Sequence, residues 1–143
     1  MITIFELLTS KGVKCEFFIS GVKEADMRYR DRIHYNQVLD YDVVLRKIEK
    51  TNVILELLQE GMDSYTLRYP EAVNYGKKLV TNNPYVVQQE SYSERNIRLI
   101  SRASDVSDID TSFFKLPLEE PYQNTDSVSS LRFLTSIREN LGL

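Results

Sequence analysis

Asp63 and Glu71 bracket the most chemically equipped stretch of the chain, Glu60 to Asn83, EGMDSYTLRYPEAVNYGKKLVTNN. Between the two acids stand the hydroxyls of Ser64 and Thr66 and the guanidinium of Arg68. The stretch leaves an apolar run, Val53 to Leu58, and crosses a polar loop. It opens a short helix around Pro70-Glu71-Ala72, stops at Gly76, and enters a second apolar strand, Lys78 to Thr81. That order of strand, loop, helix, glycine and strand places the polar groups at a helix start. The first turn of a helix carries spare N–H donors and partial positive charge, so it attracts anions, phosphate included. Thr66, Leu67 and the N–H groups after them are expected to face a diphosphate, with Arg68 adding a bidentate charge-assisted contact. Glu71 also has a plainer reading, as an acid complementing the helix dipole in the first turn. The Asp63 and Glu71 spacing carries little weight alone, because the chain holds 21 acidic residues.

The elements that must position this loop can be read along the chain. Ile4, Phe5, Leu7 and Leu8 share a helical face and Gly12 stops that helix. Val13 to Ser20 reads as a near-continuous apolar strand, of the kind covered on both faces. Ser20-Gly21 ends it, and a glycine there lets backbone approach a neighbour or ligand closely. A charged segment, Lys23 to Asp31, leads to a short strand at Arg32 to Tyr35. Asp40 is a fair N-cap for a helix from Tyr41 that buries Val43, Val44, Leu45 and Ile48. After Asn82-Asn83-Pro84 comes a turn, then a last strand at Asn96 to Ser101, an acidic loop with a helical turn over Asp105 to Glu120, and a C-terminal helix over Ser127 to Leu141.

The alternation predicts an α/β fold, a single Rossmann-like domain with about five parallel strands and helices on both faces. In open sheets of this type ligands bind beyond the carboxyl ends of the strands. Those ends are Ser20-Gly21, Tyr35-Asn36, Leu58 to Tyr69 and Thr81 to Asn83.

A chain of 143 residues suits one domain. Its net charge of −3 gives no reason to expect nucleic acid. Cys15 is the single cysteine, so no internal disulfide forms and a reducing compartment is compatible. One His and one Cys argue against a dedicated metal site, and no cofactor is expected. No apolar run approaches the ~18 residues of a membrane span. Met1-Ile2-Thr3 opens an amphipathic pattern, not a leader. His34, Cys15 and Phe113-Phe114 read as structural residues.

The segment Thr66-Leu67-Arg68-Tyr69-Pro70-Glu71-Ala72-Val73-Asn74-Tyr75-Gly76-Lys77-Lys78-Leu79-Val80-Thr81-Asn82-Asn83 resembles a loop of the GT-B glycosyltransferases. The loop belongs to their C-terminal, nucleotide-sugar-binding domain, and the likeness is to bacterial enzymes of lipopolysaccharide, capsule and exopolysaccharide assembly. That loop runs hydroxyl-Leu-Arg, two residues, Glu-Ala, three residues, Gly-Lys-Lys-Leu-Ile-Thr, one residue, Asn. Lys11 to Phe17, Tyr41 to Leu57 and Asn96 to Ile100 fit the wider frame.

The resemblance implies the donor half of a glycosyltransferase, of retaining type. It would move a sugar from a UDP- or GDP-type donor to a surface polysaccharide or lipopolysaccharide acceptor. Asp63 and Glu71 would be the catalytic-site acids, Glu71 holding the ribose hydroxyls and Asp63 lying near the donor sugar. Ser64, Thr66, Leu67 and Arg68 would lie by the diphosphate, and Tyr35, Asn36 and Leu39 by the base, with Ser20 and Gly21 as a further loop contact. A complete enzyme of this class has two Rossmann-like halves. The chain is therefore expected to be one half of a GT-B fold, a fragment without the acceptor half and inactive alone. An N-terminal acceptor domain or a dimer partner is expected beside it. The implied location is cytoplasmic, with peripheral association at the inner membrane face through the full-length enzyme. The alternative is a non-catalytic Rossmann-like protein-interaction module. A flavodoxin-like or receiver domain fits poorly: no acid ends the first strand and no Gly-rich phosphate loop is present.

Overall fold

The computed structural model describes residues 1–59 and 66–128. Asp63, Ser64 and the expected helix around Leu131 to Leu141 lie outside the described residues. Helix α1 spans Ile2–Ser10, with Ile4, Phe5 and Leu8 on its buried stripe. Strands β1 (Phe17–Ile19) and β2 (Ile33–Tyr35) follow, then helix α2 (Tyr41–Glu49) and strand β3 (Val53–Glu56). Helix α3 (Arg68–Asn74), strands β4 (Lys78–Thr81) and β5 (Ile97–Leu99), and helix α4 (Thr111–Lys115) complete the regular elements. Among the described residues no helix is long and apolar enough to cross a membrane.

Among the described residues every strand pairing is parallel, in keeping with the alternation of elements. The side chains of β3 and β4 divide cleanly between two cores. Ile54 and Leu79 point into a cluster with Ile48 of α2 and Tyr69, Ala72 and Val73 of α3. Val53, Leu55 and Val80 point the other way, toward Ile4, Phe5 and Leu8 of α1, Val106 and Phe114. A sheet sandwiched in this manner explains why these strands read as unbroken apolar runs. Gly76, at φ +59°, ends α3. The Lys77 N–H returns to the Ala72 carbonyl (2.8 Å) and the Gly76 N–H to that of Val73 (3.3 Å), so the last carbonyls are satisfied.

The expected single five-stranded sheet is not what forms. β1 and β2 make a two-stranded sheet, and β3, β4 and β5 a separate three-stranded one. β1 is only three residues long and offers few ladder bonds. Its Phe17 instead joins the cluster containing Val53, Leu55 and Val80, so packing of side chains holds the two sheets together. Nor is β1 covered on both faces. Phe18 stacks on His34 across the β1–β2 pair, 4.6 Å between centroids, with the Lys47 ammonium 5.0 Å from the Phe18 ring. That second face stays half-exposed.

Asn82 extends the strand pairing of β3 with β4 past its end. Asn82 Nδ2 donates to the Leu58 carbonyl (2.9 Å) while its Oδ1 accepts from the Leu58 N–H (2.7 Å). One side chain thus does the work of two ladder bonds beyond β3. Replacing it strands two partly buried backbone groups, each costing about 1–3 kcal/mol when it loses its partner. Asn82→Ala is therefore expected to lower unfolding stability by about 2 kcal/mol, read as a drop in the urea midpoint at unchanged slope.

Candidate functional site

The carboxyl edge of the β3–β4–β5 sheet gathers two buried carboxylates. The first is Glu56, the last residue of β3 and in register with Thr81 of β4. Its Oε2 accepts from the Thr81 hydroxyl at 2.6 Å, and its Oε1 accepts from the hydroxyl of Thr66. Thr81 Oγ1 in turn accepts from the Asn83 N–H at 3.0 Å. This chain of bonds fastens the approach to α3 onto the tips of two strands.

The second is Glu71, in the first turn of α3 and only 4% exposed. One oxygen, Oε2, is paired with the Arg68 guanidinium three residues earlier. The other, Oε1, has no hydrogen-bond partner among the described residues. A buried carboxylate oxygen without a donor is costly. Tyr41, the first residue of α2, stands beside it. Partial burial first, then the charge of the Glu71 carboxylate and a hydrogen-bonding interaction with it, push the Tyr41 phenol above its ordinary pKa, so Tyr41 is the side chain poised to serve that oxygen. The N-termini of α2 and α3 therefore meet over one acid. Arg68 is 38% exposed and spends one guanidinium nitrogen on Glu71, leaving further donors for an incoming anion.

Of the residues singled out in the sequence, the structure brings together Thr66, Arg68, Glu71 and Leu39. Leu39 and Arg68 line the same cleft. Others are placed elsewhere or engaged otherwise. The Tyr35 hydroxyl donates to the Arg28 carbonyl (2.7 Å) and accepts from the Arg28 N–H (3.2 Å), closing the loop between β1 and β2. Asn36, at φ +53°, holds both the N–H and the carbonyl of Val22 through its side chain, at 3.1 and 2.8 Å. Ser20 is exposed. Gly21 has no atom within 4 Å of where a Cβ would stand, so it serves its positive φ of +74° and not a close approach. Leu67 is 58% exposed and caps α3 from a helical conformation with no side-chain bond.

The N-terminus of α3 is a poorer anion site than the sequence implied. The helix begins at Arg68 and runs seven residues. Pro70 sits in its first turn and has no N–H to offer. The Thr66 hydroxyl is already given to Glu56. Arg68 keeps unspent donors at this edge, where the row of backbone donors is incomplete.

Glu56, Thr81 and Tyr41 were missed. Glu56 was findable: a lone acid inside the apolar run Val53 to Leu58 is rarely buried without a reason. Tyr41 carried no such signal, since only the fold brings the start of α2 to α3. No family model matches the chain, and no curated protein and no solved structure matches it.

Proposed function

We propose that this chain is the nucleotide-sugar-binding half of a GT-B-type glycosyltransferase, acting toward a surface polysaccharide or lipopolysaccharide acceptor. The observation that carries the reading is Glu71: a buried carboxylate in the first turn of α3, with one oxygen tied to Arg68 and the other without a hydrogen bond among the described residues. Ribose presents two adjacent hydroxyls, and a carboxylate that accepts from them makes charge-assisted bonds. Arg68, alongside, supplies the cation for the diphosphate. In glycosyl transfer negative charge grows on the departing diphosphate, and a fixed cation aimed at it lowers the barrier. By the sequence resemblance Asp63 belongs near the donor sugar and Ser64 near the diphosphate. Transfer also needs an acceptor-binding half, so the chain alone is expected to bind nucleotide without turnover, in the cytoplasm or at the inner membrane face.

The test is thermal unfolding with UDP, GDP and their sugar conjugates at millimolar concentration. A ligand present at about thirty times its Kd adds about 2 kcal/mol to stability, a rise of several degrees. The reading fails if none of these nucleotides moves the transition.

One observation favours the alternative of a non-catalytic interaction module. The same edge exposes Val38 (99%), Tyr41 and Leu67, three large apolar side chains around the starts of α2 and α3. Such a patch suits a protein partner. Under that reading nucleotides do nothing, and Val38→Asp breaks an association visible by analytical ultracentrifugation.

A further inference from the structure

Where β1 and β3 fail to pair, the molecule holds a cleft of about 320 Å³. It runs along the seam between the two sheets, beneath α2. Its walls are core side chains: Phe17, Val53, Leu55 and Val80 from the strands, Val44 and Ile48 from α2. Protein interiors are packed as tightly as organic crystals, and a space with no partner atoms forfeits dispersion contacts along its lining. A volume of this size matches a small-molecule site. Its apolar walls admit an aliphatic chain and disfavour a sugar or nucleotide, which would lose hydrogen bonds to water there.

Three cations, Lys14, Lys47 and Arg68, also line the cleft. Lys47 is paired with Glu16 at 2.7 Å, but Lys14, beside them at the entry to β1, has no ion-pair partner among the described residues. Arg68 lines the cleft as well, with Leu39 and Leu55, and is held by Glu71. An unpaired ammonium at the mouth of an apolar slot complements a molecule with a hydrocarbon tail and a negative head. We propose that the seam between β1 and β3 binds a linear aliphatic chain bearing an anionic head group, with Lys14 at the head and the walls of β1, β3 and α2 around the tail. The cleft shares Leu39 and Arg68 with the edge around Glu71, but Glu71 itself does not line it and the proposal does not depend on the nucleotide reading.

Cys15 makes the test direct. It is the chain's only cysteine, lines the same cleft, and is free. Burial pushes its thiol up, with Arg32 pulling it down more weakly, so alkylation is run at mildly alkaline pH. The rate of N-ethylmaleimide labelling is followed by mass spectrometry as dodecanoate is added below its micelle concentration. The expected result is saturable protection of Cys15, at least tenfold slower labelling at saturation. Butyrate, too short to fill the seam, should protect far less. Val44→Trp, which fills the slot, should abolish protection. Lys14→Glu, at an exposed position with no fold role, should weaken it about tenfold and keeps the test alive if the tryptophan variant does not fold. Labelling indifferent to dodecanoate overturns the proposal. So does equal protection by dodecyltrimethylammonium, or protection unchanged in Lys14→Glu, since either removes the anionic head group from the recognition.

Discussion

Glu71→Gln is expected to cost the protein most of its stabilisation by a nucleoside diphosphate while leaving the unliganded fold nearly intact. Glutamine keeps the shape of the side chain, so the packing of α3 against β3 and β4 survives. The lost ion pair exposes no buried charge, because its partner Arg68 is already 38% exposed and can turn to water. The unliganded protein should therefore change by about 1 kcal/mol or less. Binding is different. Hydrogen bonds to a charged acceptor are worth about 1.5–3 kcal/mol each, and a ribose makes them through two hydroxyls. A net loss of about 3 kcal/mol corresponds to roughly a hundredfold weaker Kd, enough to erase the millimolar thermal shift. The reciprocal change separates site from scaffold. Arg68→Ala leaves the buried Glu71 carboxylate without its cation, and removing one partner of a buried pair costs about 3–5 kcal/mol. Arg68→Ala should thus destabilise the unliganded protein far more than Glu71→Gln. A Glu71→Gln protein that keeps the full shift takes Glu71 out of the nucleotide site.

What could be read from the sequence divides along a physical line. β4 was legible to the residue, Lys78 to Thr81, because an apolar run bounded by Gly76 and Asn82-Asn83 has only one short-range solution. Gly76 as the stop of α3 and Tyr41 as the start of α2 were legible for the same reason: caps and turns are local chemistry. Sheet continuity is not local. Nothing in Phe17-Phe18-Ile19 says that its neighbour across the seam will be met by side chains and not by backbone bonds. The same holds for Phe18 and His34, whose stacking needs the β1–β2 register before it exists. At the candidate site, Arg68 and Glu71 were legible because three residues along a helix put them on one face. Tyr35 and Asn36, two polar residues at a strand tip, make bonds that were not legible in the sequence. Their bonds to Arg28 and Val22 depend on a loop whose path no periodicity encodes.

Glu56→Ala should be among the most damaging single changes at this edge, at about 3–4 kcal/mol. The acid is 5% exposed and receives hydroxyls from two sides, Thr81 on β4 and Thr66 ahead of α3. Truncation leaves both hydroxyls facing an apolar hole. An orphaned buried donor costs about 1–3 kcal/mol, and the void adds a term of its own because the surroundings relax only in part. Thr81 is fully buried and cannot turn to water. It can still accept from the Asn83 N–H, which keeps the loss from being larger. Glu56→Gln tests the mechanism. The amide keeps an acceptor for one hydroxyl and offers N–H to the other, which can rotate to accept. It also removes a buried negative charge that has only hydroxyls, and no cation, among its described bonding partners. Its cost should stay within about 1 kcal/mol. Urea unfolding of the two variants decides the matter. Glu56→Ala close to wild type would mean that the Thr66 and Thr81 bonds contribute nothing to joining the loop to the sheet. Equal losses in both variants would instead place the stability in the charge. Because both Glu56 oxygens are taken by Thr66 and Thr81 while one Glu71 oxygen is not hydrogen-bonded among the described residues, Glu56→Gln should keep its nucleotide shift where Glu71→Gln loses it, and that contrast separates the scaffold acid from the proposed binding acid.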